Sequence, residues 1–316
     1  MSAGGFRPAW WLPSPHLMTI FPVVARRRPK VQARRERLEL PDGDFVDLAW
    51  VGQARSPLVV VLHGLEGSLD SPYVRGILSA IEARGWRGLL MHFRGCSGEP
   101  NRLARAYHSG ETEDLRTLLR LIRARGEEPA AAVGYSLGGN VLLKYLGEEG
   151  SSAGLSAAVA VSVPMMLAPC ADRLQRGFSK LYDRWLLSSL KKSMRRKARQ
   201  VPLGVELSTG IDSIRSFDEQ VTAPLHGFSG ADDYYARASS RPYLPKIRTP
   251  TLILQARDDP FLTEEVLPGP AELPAGVTLE ISEHGGHVGF VGGNNPFAPD
   301  YWLERRIPEF LDPHLG

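Results

Sequence analysis

The chain has 316 residues, of which 43% are hydrophobic and 23% charged, with a formal net charge of +3. This composition is ordinary for a soluble globular protein, and the small net charge argues against a dedicated nucleic-acid binder. The two cysteines, Cys96 and Cys170, offer neither a disulfide framework nor zinc-ligand spacing, which is typical of reduced thiols in the cytoplasm.

The N-terminal stretch is apolar, but prolines interrupt it and it lacks an early basic region, which is not the pattern of a signal peptide. We expect Trp10 and Trp11 to wrap the core, with a membrane-surface anchor as the alternative. No apolar run approaches the ~20 residues of a membrane span. We therefore expect a cytoplasmic protein without a stable membrane span.

Strand-like and helix-like segments alternate along the chain. Residues 37–51 predict an antiparallel hairpin, because the turn signal "PDGD" separates two strand-like runs. The run "LVVVLHG" from Leu58 is typical of a strand covered on both faces. Helices are predicted after Ser71-Pro72 and over residues 111–126, where acids come first and bases last. The alternation predicts a mostly parallel sheet with helices on both faces.

The second half of the chain continues this pattern after a long interruption. Strands are predicted around residues 130–136, 155–163, 251–259 and 277–287, and a last helix should be broken or kinked at Pro308. The interruption is too long for a loop in a compact sheet. Its apolar residues at helical spacing predict a helix that packs on the core: Phe178, Leu181, Tyr182, Trp185, Leu186, Leu190 and Met194.

These boundaries predict a core built from residues 1–163 and 241–316, with residues 164–240 inserted as a helical cap. The second part of the core contains Asp258, Asp259, His284 and His287 at the ends of its two predicted strands. The basic run Lys191 to Arg199 is interpreted as a solvated helix face, and transient contact with anionic lipid is the alternative.

The pattern Gly134-Tyr135-Ser136-Leu137-Gly138 reads G-x-S-x-G. With 32 glycines in the chain it could arise by chance, but here it follows a predicted strand and opens a predicted helix. That turn needs small residues on both sides, because strand and helix approach closely. It would expose the Ser136 hydroxyl at a helix N-terminus, where the dipole favours negative charge.

A serine hydroxyl needs a base, and in this kind of sheet serine, acid and histidine follow in chain order. The last predicted strand leads into His284 and His287, and "GGH" favours His287 because it leaves that ring on a loop beyond the strand. The preceding strand ends in Asp258 and Asp259, one of which should orient the histidine. Pro260 favours an extended Asp259, which supports Asp259 as that acid.

The negative charge on a tetrahedral intermediate needs hydrogen-bond donors. One predicted donor is the backbone N–H of Leu137, directly after the serine. The other is the N–H of Leu65, in the loop "HGLEGS" that follows the "LVVVLHG" strand. His63 and Gly64 would shape this loop, and we interpret His63 as holding the turn through a hydrogen bond rather than acting as a base.

These motifs resemble the α/β-hydrolase superfamily and, more closely, the AB hydrolase 4 family, whose bacterial members are the YheT-like hydrolases. The resemblance covers nearly the whole chain. It rests on "PAWWLPSPHLMTIFP", "HGLEGSLDSPY", "MHFRGCSGEPNR", "YHSGETEDL", "GYSLGGNVLLKYLGE", "DDPF" and "GGHVGF".

The resemblance implies an α/β-hydrolase fold and a charge-relay triad on Ser136, Asp259 and His287. It also implies hydrolysis of small carboxylic esters, often acylglycerols or short- to medium-chain esters, without a metal or organic cofactor. The H-x-x-x-x-D acyltransferase pattern of some relatives finds its nearest match at residues 108–113, which end in Glu, so acyl transfer is not expected. The alternatives are a thioesterase or peptidase with the same triad, and a non-catalytic ligand-binding protein on the same fold.

Overall fold

The computed structural model describes residues 5–315, so the first four residues of the N-terminal segment and the final glycine lie outside the described range. The strands of the main sheet are β1 Arg34–Glu39, β2 Phe45–Val51, β3 Leu58–Leu62, β4 Arg87–Met91, β5 Pro129–Tyr135, β6 Ala157–Val161, β7 Thr251–Ala256 and β8 Val277–Ser282. Their order is β1-β2-β4-β3-β5-β6-β7-β8. Strands β3 to β8 run parallel, and β1 and β2 form an antiparallel hairpin at one edge. The predicted mostly parallel sheet is confirmed.

Helices cover both faces of the sheet. The α-helices are α1 Pro15–Val24, α2 Pro72–Ala83, α3 Glu113–Ala124, α4 Leu137–Glu149, α5 Leu167–Leu174, α6 Ser179–Ala198, α7 Ile214–Phe217, α8 Ala223–Leu225, α9 Ala231–Ala238 and α10 Leu303–Leu315. Helices α3 and α4 pack with Val60 of β3 on one face, and α2 and α10 pack with Val59 and Val61 on the other. Both faces of β3 are therefore buried, which explains its continuous apolar run.

Helix α10 does not end at Pro308, so of the predicted break or kink at this residue the break is wrong. The helix continues past both Pro308 and Pro313 to Leu315. Each proline removes only one backbone donor, while Ile307 and Leu311 are fully buried against the sheet. Burial of this face outweighs the two lost hydrogen bonds.

Helices α5 to α9 lie between β6 and β7, and we call this part of the chain the helical insertion. Its longest member, α6, carries the predicted apolar stripe, but the stripe is wider than one buried face. Because successive residues are about 100° apart around an α-helix, the seven residues of the stripe span roughly 220° of the circumference. Tyr182, Leu186, Leu190 and Met194 are buried, whereas Phe178, Leu181 and Trp185 at its other edge are exposed. The prediction of a helix that packs on the core is correct only for the first group.

The N-terminal segment folds against the rest of the chain through α1. Ser14 caps this helix, because its hydroxyl accepts the backbone N–H of His16. Trp11 contacts Phe21 of α1 with ring centroids 4.9 Å apart. Trp10 is 72% exposed, so the expectation that it wraps the core is wrong.

Candidate active site

Ser136 lies at the sharp turn between β5 and α4, at the carboxyl edge of the parallel strands. Its backbone φ is 50° and its ψ is −118°, a conformation that residues with a side chain rarely adopt. Its N–H donates to the carbonyl oxygen of Val161 at 2.8 Å, which ties the turn to β6. A strained strand-to-helix turn of this kind holds the serine hydroxyl at the top of the sheet.

Glycines surround Ser136 because the backbone approaches closely on three sides. A Cβ atom on Gly134 would lie 2.5 Å from the carbonyl oxygen of Gly138, and one on Gly138 would lie 2.5 Å from that of His63. A Cβ atom on Gly64 would lie 3.3 Å from the Cβ of Ser136. The predicted need for small residues on both sides of the serine is confirmed.

The structure brings Ser136, His287 and Asp259 together in one hydrogen-bonded chain. His287 Nε2 lies 3.0 Å from Ser136 Oγ, and His287 Nδ1 lies 2.8 Å from Asp259 Oδ2. Asp259 is only 2% exposed. A carboxylate can only accept, so Nδ1 donates to Asp259 and Nε2 is left to accept the serine O–H. This arrangement can take a proton from Ser136 Oγ.

Contacts from three other elements fix the loop that carries His287. The Phe261 ring stacks on the imidazole with centroids 4.0 Å apart and planes 1° apart. Thr19 Oγ1, in α1, accepts the His287 backbone N–H at 2.9 Å. Ser162 Oγ accepts the next N–H, that of Val288, at 3.0 Å. Sequence reasoning missed these residues, and no local pattern signals Thr19, which precedes His287 by 268 positions.

The second aspartate and the second histidine form a separate pair. Asp258 Oδ1 accepts the backbone N–H of Gly286 at 2.9 Å, and its Oδ2 lies 3.2 Å from His284 Nδ1. Asp258 therefore braces the histidine loop from outside, while Asp259 reaches the imidazole of His287. The two carboxylates that the sequence offered as alternatives therefore have different hydrogen-bond partners, and only that of Asp259 contacts His287.

His63 holds the loop after β3, as predicted, and is not exposed to act as a base. The Phe93 N–H donates to His63 Nε2 at 3.1 Å, so Nδ1 carries the proton and donates to the Gly64 carbonyl at 2.7 Å. Burial lowers the pKa of His63 to about 3, which keeps the ring neutral. The Tyr73 hydroxyl accepts the Gly64 N–H at 2.8 Å and fixes the other side of the turn.

The two predicted oxyanion donors, Leu65 and Leu137, line the same cavity as Ser136. Within residues 5–315, no acceptor takes a hydrogen bond from the backbone N–H of either residue. Leu137 is the first residue of α4, where a helix leaves its N–H groups without an internal partner. Both groups can therefore donate to a bound ligand.

Glu66 is a residue that sequence reasoning missed, although it directly follows Leu65. Its φ is 54°, in the left-handed region. Its N–H donates to the Tyr107 hydroxyl at 2.8 Å, and that hydroxyl donates back to Glu66 Oε1 at 2.9 Å. Glu66 Oε2 accepts the hydroxyl of Ser193, in α6, at 2.5 Å. Glu66 thus connects the loop of Leu65 to the helical insertion.

A cavity of about 590 Å³ opens onto Ser136 and His287. Its walls are largely apolar, and the helical insertion supplies many of the lining residues, among them Leu174, Leu186 and Phe217. The segment "RGCSGEPNR" contributes to the lining through Arg94, Gly95, Pro100 and Asn101. The cavity can hold an apolar group next to the serine hydroxyl.

One group of side chains in residues 5–315 has the spacing of metal ligands. The donor atoms of His108, Glu111 and His226 lie within 4.8 Å of one another. However, Glu111 is paired with Arg105. Burial lowers the pKa of His108 to about 3 and that of His226 to about 2, with nearby Arg105 adding to both shifts. The cationic surroundings disfavour a divalent metal. His108 and His226, but not Glu111, line the cavity, and both fit a neutral polar part of its wall.

A comparison with known proteins identifies relatives of this chain. A family model described as alpha/beta hydrolase fold matches residues 57–293. The chain is 49% identical to "Putative esterase YheT" of Escherichia coli, over 99% of this chain and 95% of that protein. It is 29% identical to "Phospholipase ABHD3" of Homo sapiens, over 97% of this chain and 78% of that protein.

A solved structure of the Pyrococcus furiosus esterase Pf2001 has the same fold, with a TM-score of 0.61 at 17% identity over 92% of this chain and 99% of that one. The class of protein follows from the fold, the strained turn at Ser136 and the match to the family model. It is a hydrolase of the α/β-hydrolase fold. Within that fold the chain belongs to the AB hydrolase 4 family.

Proposed function

We propose that this protein hydrolyses carboxylic esters through an acyl-enzyme on Ser136. The observation that carries the proposal is the hydrogen-bonded chain from Ser136 through His287 to Asp259. His287 Nε2 accepts the serine proton as Oγ attacks the ester carbonyl, and Asp259 stabilises the resulting imidazolium. The backbone N–H groups of Leu65 and Leu137 donate to the oxyanion.

The second half of the reaction uses the same groups. His287 gives its proton to the leaving alcohol as the bond between the carbonyl carbon and that oxygen breaks. A water molecule then attacks the acyl-enzyme while His287 accepts a proton from it. The bond between the carbonyl carbon and Ser136 Oγ breaks, His287 gives the water-derived proton to Oγ, and the acid leaves. Every proton transfer in this sequence passes through His287 Nε2, which lies 3.0 Å from Ser136 Oγ.

The proposed substrates are acylglycerols or other short- to medium-chain esters. The apolar cavity wall next to Ser136 supports an acyl chain as the bound group. The names of relatives agree with this class, since they include a phospholipase and a "Medium-chain fatty acid ethyl ester synthase/esterase 2" of Saccharomyces cerevisiae. We also propose that residues 164–240 act as the cap that sets chain length, because α5, α6 and α7 supply much of this wall.

Hydrolysis of a chain-length series tests the proposal. We expect turnover of p-nitrophenyl acetate, butyrate, octanoate and laurate by the wild type, with an optimum set by the cavity. The variant Ser136→Ala should lose turnover of every member while its circular dichroism spectrum stays unchanged. Faster turnover of acyl thioesters than of matched oxygen esters would instead favour a thioesterase. Retained turnover in Ser136→Ala would exclude the proposed nucleophile.

A further inference from the structure

Exposed apolar side chains gather around the mouth of the cavity. Eight large hydrophobic side chains in residues 5–315 are exposed, and six of them lie on α1 or at the start of α6. We call these six the mouth patch: Leu17, Val23, Val24, Phe178, Leu181 and Trp185. Val24 is 74% and Trp185 is 61% exposed. Scattered single hydrophobic residues need no explanation, but a concentration of this kind marks an interaction surface.

The two helices form one continuous surface. His16 Nδ1, in α1, lies 3.1 Å from the hydroxyl of Tyr182, in α6. The ring of His16 also packs on Phe178, with centroids 4.3 Å apart. Apart from Leu17, every member of the mouth patch lines the cavity that holds Ser136 and His287. The mouth patch is therefore the rim of the candidate active site.

Basic residues flank this rim in the chain, and the same stretches of chain contain no exposed acidic residue. Three exposed basic side chains flank Phe178, Leu181 and Trp185 in the chain and have no carboxylate partner among residues 5–315: Arg176, Lys180 and Arg184. Arg27 and Arg28, which are also exposed, follow Val24 at the end of α1. Residues 14–30 contain no Asp or Glu. Residues 173–184 contain only Asp183, which is buried and accepts the backbone N–H of Ile214 at 3.0 Å. The rim is thus apolar at its centre and positive at its edge.

We propose that the mouth patch seats this protein on an anionic lipid surface with the cavity mouth facing the lipid. Apolar and aromatic side chains would enter the interface, and the cations would meet the lipid head groups, as in interfacial helices. A second copy is the weaker occupant, because a two-fold dimer through this patch would bring like-charged rims together. No helix of residues 5–315 has the length and apolar character to cross the bilayer.

Vesicle co-sedimentation tests the proposal independently of catalysis, because the Ser136→Ala protein can be used throughout. We expect sedimentation with vesicles of equal phosphatidylcholine and phosphatidylglycerol, and much less with phosphatidylcholine alone. The double variant Lys180→Glu/Arg184→Glu should weaken binding to the anionic vesicles at least about tenfold. Leu17→Asp/Leu181→Asp should do the same.

The matched control is Arg55→Glu/Arg248→Glu, which makes the same charge change. Both arginines are exposed and precede parallel strands β3 and β7, so they lie at the opposite edge of the sheet from the mouth patch. This control should keep most of the binding. An equal loss in the control would mean that the overall charge, and not the patch, controls binding, and would overturn the proposal.

Tryptophan fluorescence tests the proposal with a conservative substitution at an exposed position, Trp185→Phe. Brominated lipids in anionic vesicles should quench part of the tryptophan fluorescence, and Trp185→Phe should remove that part. Quenching that is unchanged in Trp185→Phe would overturn the proposal, as would equal binding to neutral vesicles. A stable dimer in solution that Leu17→Asp/Leu181→Asp dissociates would assign the patch to a second copy instead.

Discussion

Asp258 and Asp259 are neighbours in the chain, but they hold the histidine loop in different ways. Asp259 accepts from the imidazole of His287, whereas Asp258 accepts from the backbone of Gly286 and contacts His284. Only the first contact fixes the tautomer that leaves Nε2 free to accept the serine proton. The role of each carboxylate therefore follows from its partner and not from its position in sequence.

We expect Asp259→Asn to reduce turnover by a factor on the order of 10⁴, because an amide in place of the carboxylate favours the wrong imidazole tautomer. Asp258→Asn is the matched control. Its remaining carbonyl oxygen can still accept the Gly286 N–H, so turnover should change little and the main effect should be on stability. Ester turnover and thermal unfolding of both purified variants check this. An inactive Asp258→Asn beside a nearly active Asp259→Asn would reverse the assignment.

Glu66 is expected to position the backbone N–H of Leu65, because its carboxylate accepts from both Tyr107 and Ser193. Removal of one oxyanion donor typically costs 10² to 10³ in turnover, and its displacement should cost less. We therefore expect Glu66→Gln to lower kcat about tenfold with a small change in KM. Ser193→Ala, which removes one of the two contacts, should have a weaker effect in the same direction. An unchanged kcat in Glu66→Gln would exclude the positioning role.

At the residue scale, local motifs at the ends of predicted strands were enough to predict the candidate catalytic residues. They were not enough to predict the residues that position them. Ser136, the two aspartates and the two histidines follow strands that periodicity identifies, so their place at one sheet edge could be expected. Thr19 and Glu66 act through contacts with residues far away in the chain. Such contacts depend on tertiary packing, which a single sequence does not encode in any local pattern.

At the scale of elements, the same limit explains why two predictions about helices were wrong in part. An apolar stripe indicates which residues avoid water, but it does not say what covers them. On α6 one edge of the stripe packs inside the insertion, while the other edge rims the cavity. Similarly, Pro308 is a local signal for a break, and burial of Ile307 and Leu311 overrides it.

Trp185 is expected to select for chain length, because its ring lines the cavity mouth on α6. In Trp185→Ala, kcat/KM for p-nitrophenyl laurate should fall about tenfold, the size expected when a large apolar contact is lost. The acetate should lose much less, since its acyl group does not reach the mouth. Trp10→Ala is the control, because Trp10 is also exposed but does not line the cavity. A uniform loss across the series would indicate a stability role for Trp185.

At the scale of the whole molecule, buried neutral histidines make the folded state sensitive to acid. Burial lowers the pKa of His63 and His108 to about 3 and that of His226 to about 2. In the unfolded chain each ring would bind a proton near its ordinary pKa of about 6.5. Between these pH values the unfolded state thus binds more protons than the folded state. The contribution of these rings to the free energy of unfolding is therefore fully present above pH 6.5 and is lost as the pH falls toward 3.

We expect the free energy of unfolding, measured with urea between pH 7 and pH 4, to decrease as the pH falls. Each of these histidines should contribute a slope of about 1.4 kcal/mol per pH unit near pH 5. His226→Gln should reduce the slope by about one such contribution. The same slope in His226→Gln and wild type would show that His226 is not held neutral by the fold.

We propose Ser136 as the nucleophile, activated by His287. Labelling with a fluorophosphonate probe and mapping of the modified peptide by mass spectrometry test it most directly, because the probe reacts with an activated serine without requiring the correct substrate. We predict one adduct, on Ser136, which is absent in Ser136→Ala and strongly slowed in His287→Ala. Labelling at another serine, or equal labelling of wild type and Ser136→Ala, would contradict the account.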